Sequence, residues 1–178
     1  MDFPYRLAGR RAPDRAPVLV AAVEEAAASF AAAESLSPGR VFAGGRSMGA
    51  RMCSMAVAGG MTAGGLVLVS YPLHPPGRPE RLRTEHFPAL HVPCLFVSGT
   101  RDAFAATGEL EEAVAAVPGP VTLHWVDGGD HGLRRRDDQV AEVVAGWLAA
   151  QSRPGRPGRL GHEEPAAEVV AAASEPRR

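Results

Sequence analysis

Arg40-Val41-Phe42-Ala43-Gly44-Gly45-Arg46-Ser47-Met48-Gly49 is the stretch on which the reading of this 178-residue chain turns. Its first five residues have the character of a short buried strand ending at Gly44, and Met48 to Ala58 reads as a helix. Ser47 therefore falls on the turn between the two, inside the G-x-S-x-G pentapeptide that opens at Gly45. A sharp strand-to-helix turn needs small residues, and a Cβ at Gly45 or Gly49 is expected to crowd its backbone. Alone the pentapeptide is weak, because a glycine-rich turn beside a helix cap has the same letters. Its context decides.

Working outward, the same alternation recurs. A helix is expected over Pro17 to Glu34, with proline near its first turn where a missing N–H does little harm. Gly65 to Tyr71 is a continuous apolar run, as in a strand covered on both faces. A proline-rich run from Pro72 to Pro79 follows, and the Tyr71–Arg83 excursion that contains it is either part of a lid or acyl pocket or a plain surface connection. Val92 to Ser98 and Val121 to Val126 read as further strands, Thr107 to Ala116 and Asp137 to Ala150 as helices. Strands alternating with helices imply an α/β fold with a parallel sheet of about four strands, spanning residues 1–150. From Gln151 to Arg178 the chain holds almost no large apolar residue and is expected to be disordered, with at most a short helix around Ala166 to Ala173.

Each later strand is followed by a loop bearing a candidate reactive side chain. Gly99-Thr100-Arg101-Asp102 follows one strand, and Gly128-Gly129-Asp130-His131-Gly132 the next. Both loops leave the C-terminal edge of the sheet, where Ser47 also lies and where such sheets place their sites. The order serine, acid, histidine suits nucleophilic acyl chemistry: His131 would take the Ser47 proton, and Asp102 would hold the ring and stabilise its cation. Asp127 and Asp130 are rival acids, but Asp130 adjoins His131 and cannot easily reach the ring's far nitrogen. The backbone N–H of Met48 is the expected first oxyanion donor. His74, His86, His91 and His124 read as surface or packing residues, and His124 lies within a strand.

Composition removes other chemistries. The chain has no lysine, and all nineteen basic residues are arginine, so a phosphate-loop lysine and a pyridoxal Schiff base are excluded. A formal charge of −1 gives nothing to attract nucleic acid or an anionic membrane. Cys53 and Cys94 read as small buried apolar side chains rather than metal ligands. No leader pattern is visible, and no apolar run approaches the roughly 20 residues of a membrane span. A cytoplasmic protein with no cofactor and no metal is expected.

The chain resembles the dienelactone-hydrolase-like α/β-hydrolases related to a subunit of the nonspecific-lethal chromatin complex and to its testis-expressed homologue. The residues that carry the resemblance are Asp2-Phe3-Pro4-Tyr5, Gly44 to Gly49, Tyr71-Pro72-Leu73-His74-Pro75-Pro76-Gly77, Pro79 to Arg83, Gly99 to Asp102 and Gly129-Asp130-His131. It implies a Ser–Asp–His hydrolase fold but no particular substrate. Family members carry upstream strands and a His-Gly-rich loop before the Asp-Phe-Pro-Tyr segment, so the chain is expected to be the C-terminal two-thirds of the fold, lacking its first strands. The second oxyanion donor would belong to that upstream part.

The leading expectation is thus a serine hydrolase of a small ester or related acyl compound, acting through an acyl-enzyme on Ser47. A non-catalytic binding or scaffold protein of the same fold, or an inactive fragment, is the alternative. The strand before Ser47 is expected to present an apolar, unpaired edge that favours self-association. Arg46 and Arg51 flank the serine and suit an anionic substrate, although arginine is the only long basic residue available.

Overall fold

The computed structural model describes residues 1–151. The helices are α1 (Pro4–Leu7), α2 (Ala16–Ala33), α3 (Met48–Ala58), α4 (Thr107–Val114) and α5 (Asp137–Gln151). The strands are β1 (Phe42–Arg46), β2 (Gly65–Val69), β3 (Cys94–Gly99) and β4 (Val121–Val126). They form one parallel sheet whose spatial order, β1-β2-β3-β4, follows the chain. The expected unstructured tail, with its short helix, lies outside the described residues.

Period-two alternation sorts the strand side chains between two layers. Leu66, Leu68 and Phe96 face one layer, with Leu19 and Val23 of α2, Met52 and Ala56 of α3, and Leu110 of α4. Val69, Leu95, Val97 and Val126 face the other, against Val140 and Trp147 of α5. Each such side chain fully buried contributes roughly 1.5–3 kcal/mol, so the central strands anchor the sheet. Every residue of β3 is buried.

Strand limits differ from the expected ones for local reasons. β1 runs two residues further, to Arg46, because Arg46 still pairs with Val69 and the Ser47 N–H donates to the Val69 carbonyl at 2.8 Å. β2 stops at Val69, since Ser70 turns into left-handed backbone at φ 48°. Among the described residues no strand pairs with the outer side of β1. That edge is less apolar than expected: Gly44 and Arg46 are its exposed residues, and Trp147 covers Phe42 edge-on at 5.8 Å.

From the sequence pattern no run is expected to be apolar enough for a membrane span. By length and composition α2 does qualify, with 18 residues and a mean hydropathy of 1.4. In the fold it buries Leu19 and Val23 in the layer it shares with α3, and Ala31 is buried near its end.

The excursion after β2 is not a plain surface connection at its start. Tyr71, Leu73 and His74 are buried, and Tyr71 O–H donates to the Arg83 carbonyl at 2.7 Å. His74 faces acceptors from both ring nitrogens: the Pro75 carbonyl at 2.8 Å and a Glu109 carboxylate oxygen at 3.0 Å. Burial alone would lower its pKa, and Arg83 opposes the charge too. The Pro75 carbonyl and Glu109 outweigh them and hold it above the ordinary 6.5. Glu109 also accepts the Ala106 N–H at the start of α4, so one carboxylate ties the excursion to that helix.

A raised folded pKa fixes the sign of the linkage: the stabilisation is complete below 6.5 and is lost as pH rises through the folded value. The melting-temperature gap between the wild-type chain and His74→Gln is therefore expected to be widest in mildly acidic buffer and to narrow toward alkaline pH. A gap that stays constant or widens with pH contradicts the pairing.

Candidate active site

Ser47 stands at the junction of β1 and α3 with φ 53° and ψ −114°, backbone that a non-glycine residue adopts only under constraint. The constraint comes from both sides, because its N–H is held by the β2 carbonyl of Val69 and its carbonyl accepts the Arg51 N–H at 3.1 Å. Gly45 is needed for close approach: a Cβ there would lie 2.7 Å from the backbone of Gly49. Gly49 does not share that need, since a Cβ on it meets nothing within 4 Å. The expectation of crowding holds at the first glycine and not at the last.

The structure brings Ser47, His131 and Asp102 into one hydrogen-bonded chain. His131 Nδ1 lies 2.9 and 3.0 Å from the two Asp102 oxygens, and Nε2 lies 2.8 Å from Ser47 Oγ. A carboxylate has no proton to give, so Nδ1–H donates to Asp102 and Nε2 is left to accept the Ser47 hydroxyl. The Asp102 side chain is fully buried, whereas His131 is 23% exposed. The carboxylate is thus shielded, while the imidazole keeps partial access to solvent. Phe104 N–H donates to Asp102 Oδ1 at 2.8 Å, giving the buried oxygen a second partner.

The rival acids bond elsewhere. Asp127 accepts from the Thr100 hydroxyl at 3.4 Å, and Asp130 accepts the Gly132 N–H at 3.0 Å. Of the other histidines, His124 lies in β4, His86 Nε2 meets Ser54 Oγ at 2.8 Å, and His74 is the buried pin described above. Met48 opens α3 directly after Ser47, where a helix leaves its first N–H groups without intrahelical partners. Cys53 and Cys94 are buried thiols without a disulfide, and burial pushes their pKa values up to about 11 and about 12. No cluster of three or more metal-ligating side chains occurs among the described residues.

Two contributors were not found from sequence. The Phe104 ring stacks on the His131 ring, with centroids 4.0 Å apart and planes at 27°. Its position two residues after Asp102 is the only signal it gives. Gly99 is the other. A Cβ at Gly99 would fall on the Gly129 carbonyl, so the Asp102 and His131 loops approach closely only because residue 99 has no side chain. Thr100 adds a tie between them, accepting the Gly128 N–H at 2.8 Å.

Gly99→Ala is accordingly expected to destabilise the chain by roughly 1–3 kcal/mol through overpacking against backbone that cannot rotate away. Denaturant melts of the variant beside wild type measure this, and an unchanged midpoint contradicts the close approach.

Comparison with known proteins agrees with the fold. The family described as Alpha/beta hydrolase domain matches residues 1–151. Among solved structures, SOBER1 from Arabidopsis thaliana superposes with a TM-score of 0.55 at 18% identity, covering 80% of this chain and 68% of that one. An alpha-beta serine hydrolase homologue from Coxiella burnetii gives 0.58 at 16% identity, over 81% and 63% of the two chains. A monoacylglycerol lipase from Paleococcus ferrophilus gives 0.63 at 10% identity, over 78% and 77%. With a parallel four-stranded sheet, flanking helices and a serine on the first strand-to-helix turn, the chain belongs to the alpha/beta hydrolase domain family.

Proposed function

We propose that this chain is a serine hydrolase that cleaves a small ester or related acyl compound through an acyl-enzyme on Ser47. The observation that carries the proposal is the unbroken path from the Ser47 hydroxyl to the His131 ring to the buried Asp102 carboxylate. A serine hydroxyl is a poor nucleophile at neutral pH and needs a base within hydrogen-bond reach. His131 Nε2 is that base: it takes the proton as Ser47 Oγ attacks the acyl carbon, and returns it to the leaving alcohol as the C–O bond breaks. Water then attacks the acyl-enzyme by the same route in reverse, releasing the acid and restoring Ser47.

Asp102 keeps Nδ1 protonated and stabilises the ring while it is cationic. Phe104 supports the same state, since an aromatic face over a cation is attractive, and it fixes the plane in which the ring lies. The Met48 N–H, the first of α3, would receive the oxyanion. Within the alpha/beta hydrolases, the Tyr71 to Gly77 segment supports a relation to the dienelactone-hydrolase-like group. Reduced, buried thiols fit a cytoplasmic setting.

Turnover of p-nitrophenyl butyrate tests the reading. Asp102→Asn is expected to lower kcat by about 10⁴, because the wrong ring nitrogen then carries the proton. Phe104→Ala is expected to lower kcat roughly tenfold with little effect on KM. Mass spectrometry of quenched reactions should find the butyryl group on the Ser47 peptide and nowhere in Ser47→Ala. Turnover that survives Ser47→Ala would overturn the acyl-enzyme on Ser47, and no turnover by the folded wild-type chain would point instead to a scaffold role for the fold.

A further inference from the structure

Beyond Ser47, α3 leads into a groove of about 690 Å³ lined by Arg51, Pro75, Glu80, Arg81, Leu82, Arg83 and Glu85. Arg51 lies one helical turn after the serine and donates its N–H to the Ser47 carbonyl. Its Nε is sealed from solvent and has no hydrogen-bond partner. A buried guanidinium N–H with no acceptor is costly, and such groups are ordinarily satisfied. Arg83 faces the same groove half-buried, its backbone held by Tyr71 O–H on its carbonyl and by its own N–H on the Leu73 carbonyl. Its side chain has one long contact, to the Pro72 carbonyl at 3.5 Å.

Charge sharpens the point. Among the described residues no carboxylate forms an ion pair with Arg51, Arg81 or Arg83, although Glu80 and Glu85 line the rim. Burial lowers the Arg83 pKa first and repulsion from Arg51 second; Tyr71 opposes them, and Arg81 adds the smallest fall. His86, also against Arg51, is pushed toward its neutral form by burial first and by that arginine second, with Glu85 opposing. Like charges have been gathered in a half-buried groove without their counter-ion. Three arginines against two solvent-exposed glutamates leave one net positive charge, which suits a monoanion better than a dianionic phosphate.

We infer that Arg51 and Arg83, with Arg81 at the rim, form a subsite for a carboxylate carried by the ester that Ser47 attacks. The inference rests on the serine-hydrolase reading and narrows it to half-esters of dicarboxylic acids and similar anionic acyl compounds. The two terminal nitrogens of each guanidinium fork pair with a carboxylate through two parallel N–H···O bonds. Recognition of this kind fixes one end of the substrate while its ester carbonyl lies at Ser47.

Binding is tested apart from chemistry in full-length Ser47→Ala by calorimetry with monomethyl glutarate and its neutral counterpart methyl butyrate. The anionic ester is expected to bind roughly tenfold or more tighter, as charge-assisted hydrogen bonds would give. Arg51→Gln and, independently, Arg83→Gln should each remove most of that margin. In the chain with Ser47 intact, the ratio of kcat/KM for mono-p-nitrophenyl glutarate over p-nitrophenyl butyrate should fall in the same two variants. Equal binding of the two esters, or a margin that survives both substitutions, overturns the subsite while Ser47-dependent turnover of the neutral ester leaves the hydrolase reading standing. If neither ester is turned over in a Ser47-dependent way, the hydrolase reading fails and the subsite's role in substrate choice fails with it.

Discussion

A carboxylate withdrawn from water must be met by donors, and Asp102 is the residue around which this constraint organises the molecule. Its side chain is fully buried, and the groups that meet it are the His131 Nδ1–H and the Phe104 N–H. An unpaired charge in that position would cost several kcal/mol. Folding is therefore coupled to bringing the loop after β4 against the loop after β3. Once His131 is committed to Asp102 through Nδ1, its other nitrogen can only accept, and the one hydroxyl it meets is Ser47 Oγ. Tautomer, ring plane and serine orientation follow from one buried charge.

The sheet makes this meeting geometrically simple. Parallel strands in sequence order deliver the ends of β1, β3 and β4 to the same edge. Glycine then lets the loops close the remaining distance: Gly45 admits the first turn of α3, and Gly99 admits the backbone of Gly129. The positive φ of Ser47 is held by hydrogen bonds on both sides of the residue rather than by glycine, so the strain is borne by β2 and α3.

Much of this was legible in the sequence. The apolar runs of β2 and β3 and the alternation with helices fix the fold class, because both are local patterns with a known period. Ser47, Asp102 and His131 could be picked out since each follows a strand, in an order that one chemistry needs. What was hidden depends on contact between distant segments. Phe104 looks like any loop aromatic until the His131 ring is seen beneath it, and Gly99 looks like any strand-end glycine. From sequence His74 reads as a surface or packing histidine; its two acceptors come from its own excursion and from α4, an arrangement no spacing reveals. β1 ends two residues later than its apolar pattern indicates, because the last ladder pair, with Val69, is made across the sheet.

The central claim is that His131, held by Asp102, makes Ser47 a nucleophile. The second-order rate constant for covalent labelling of the full chain by a fluorophosphonate at neutral pH measures that activation without needing the natural substrate. Labelling confined to Ser47, and slower by roughly 10³ or more in His131→Ala, is the expected result. Labelling equally fast without the His131 ring, or fixed on a different serine, would contradict it.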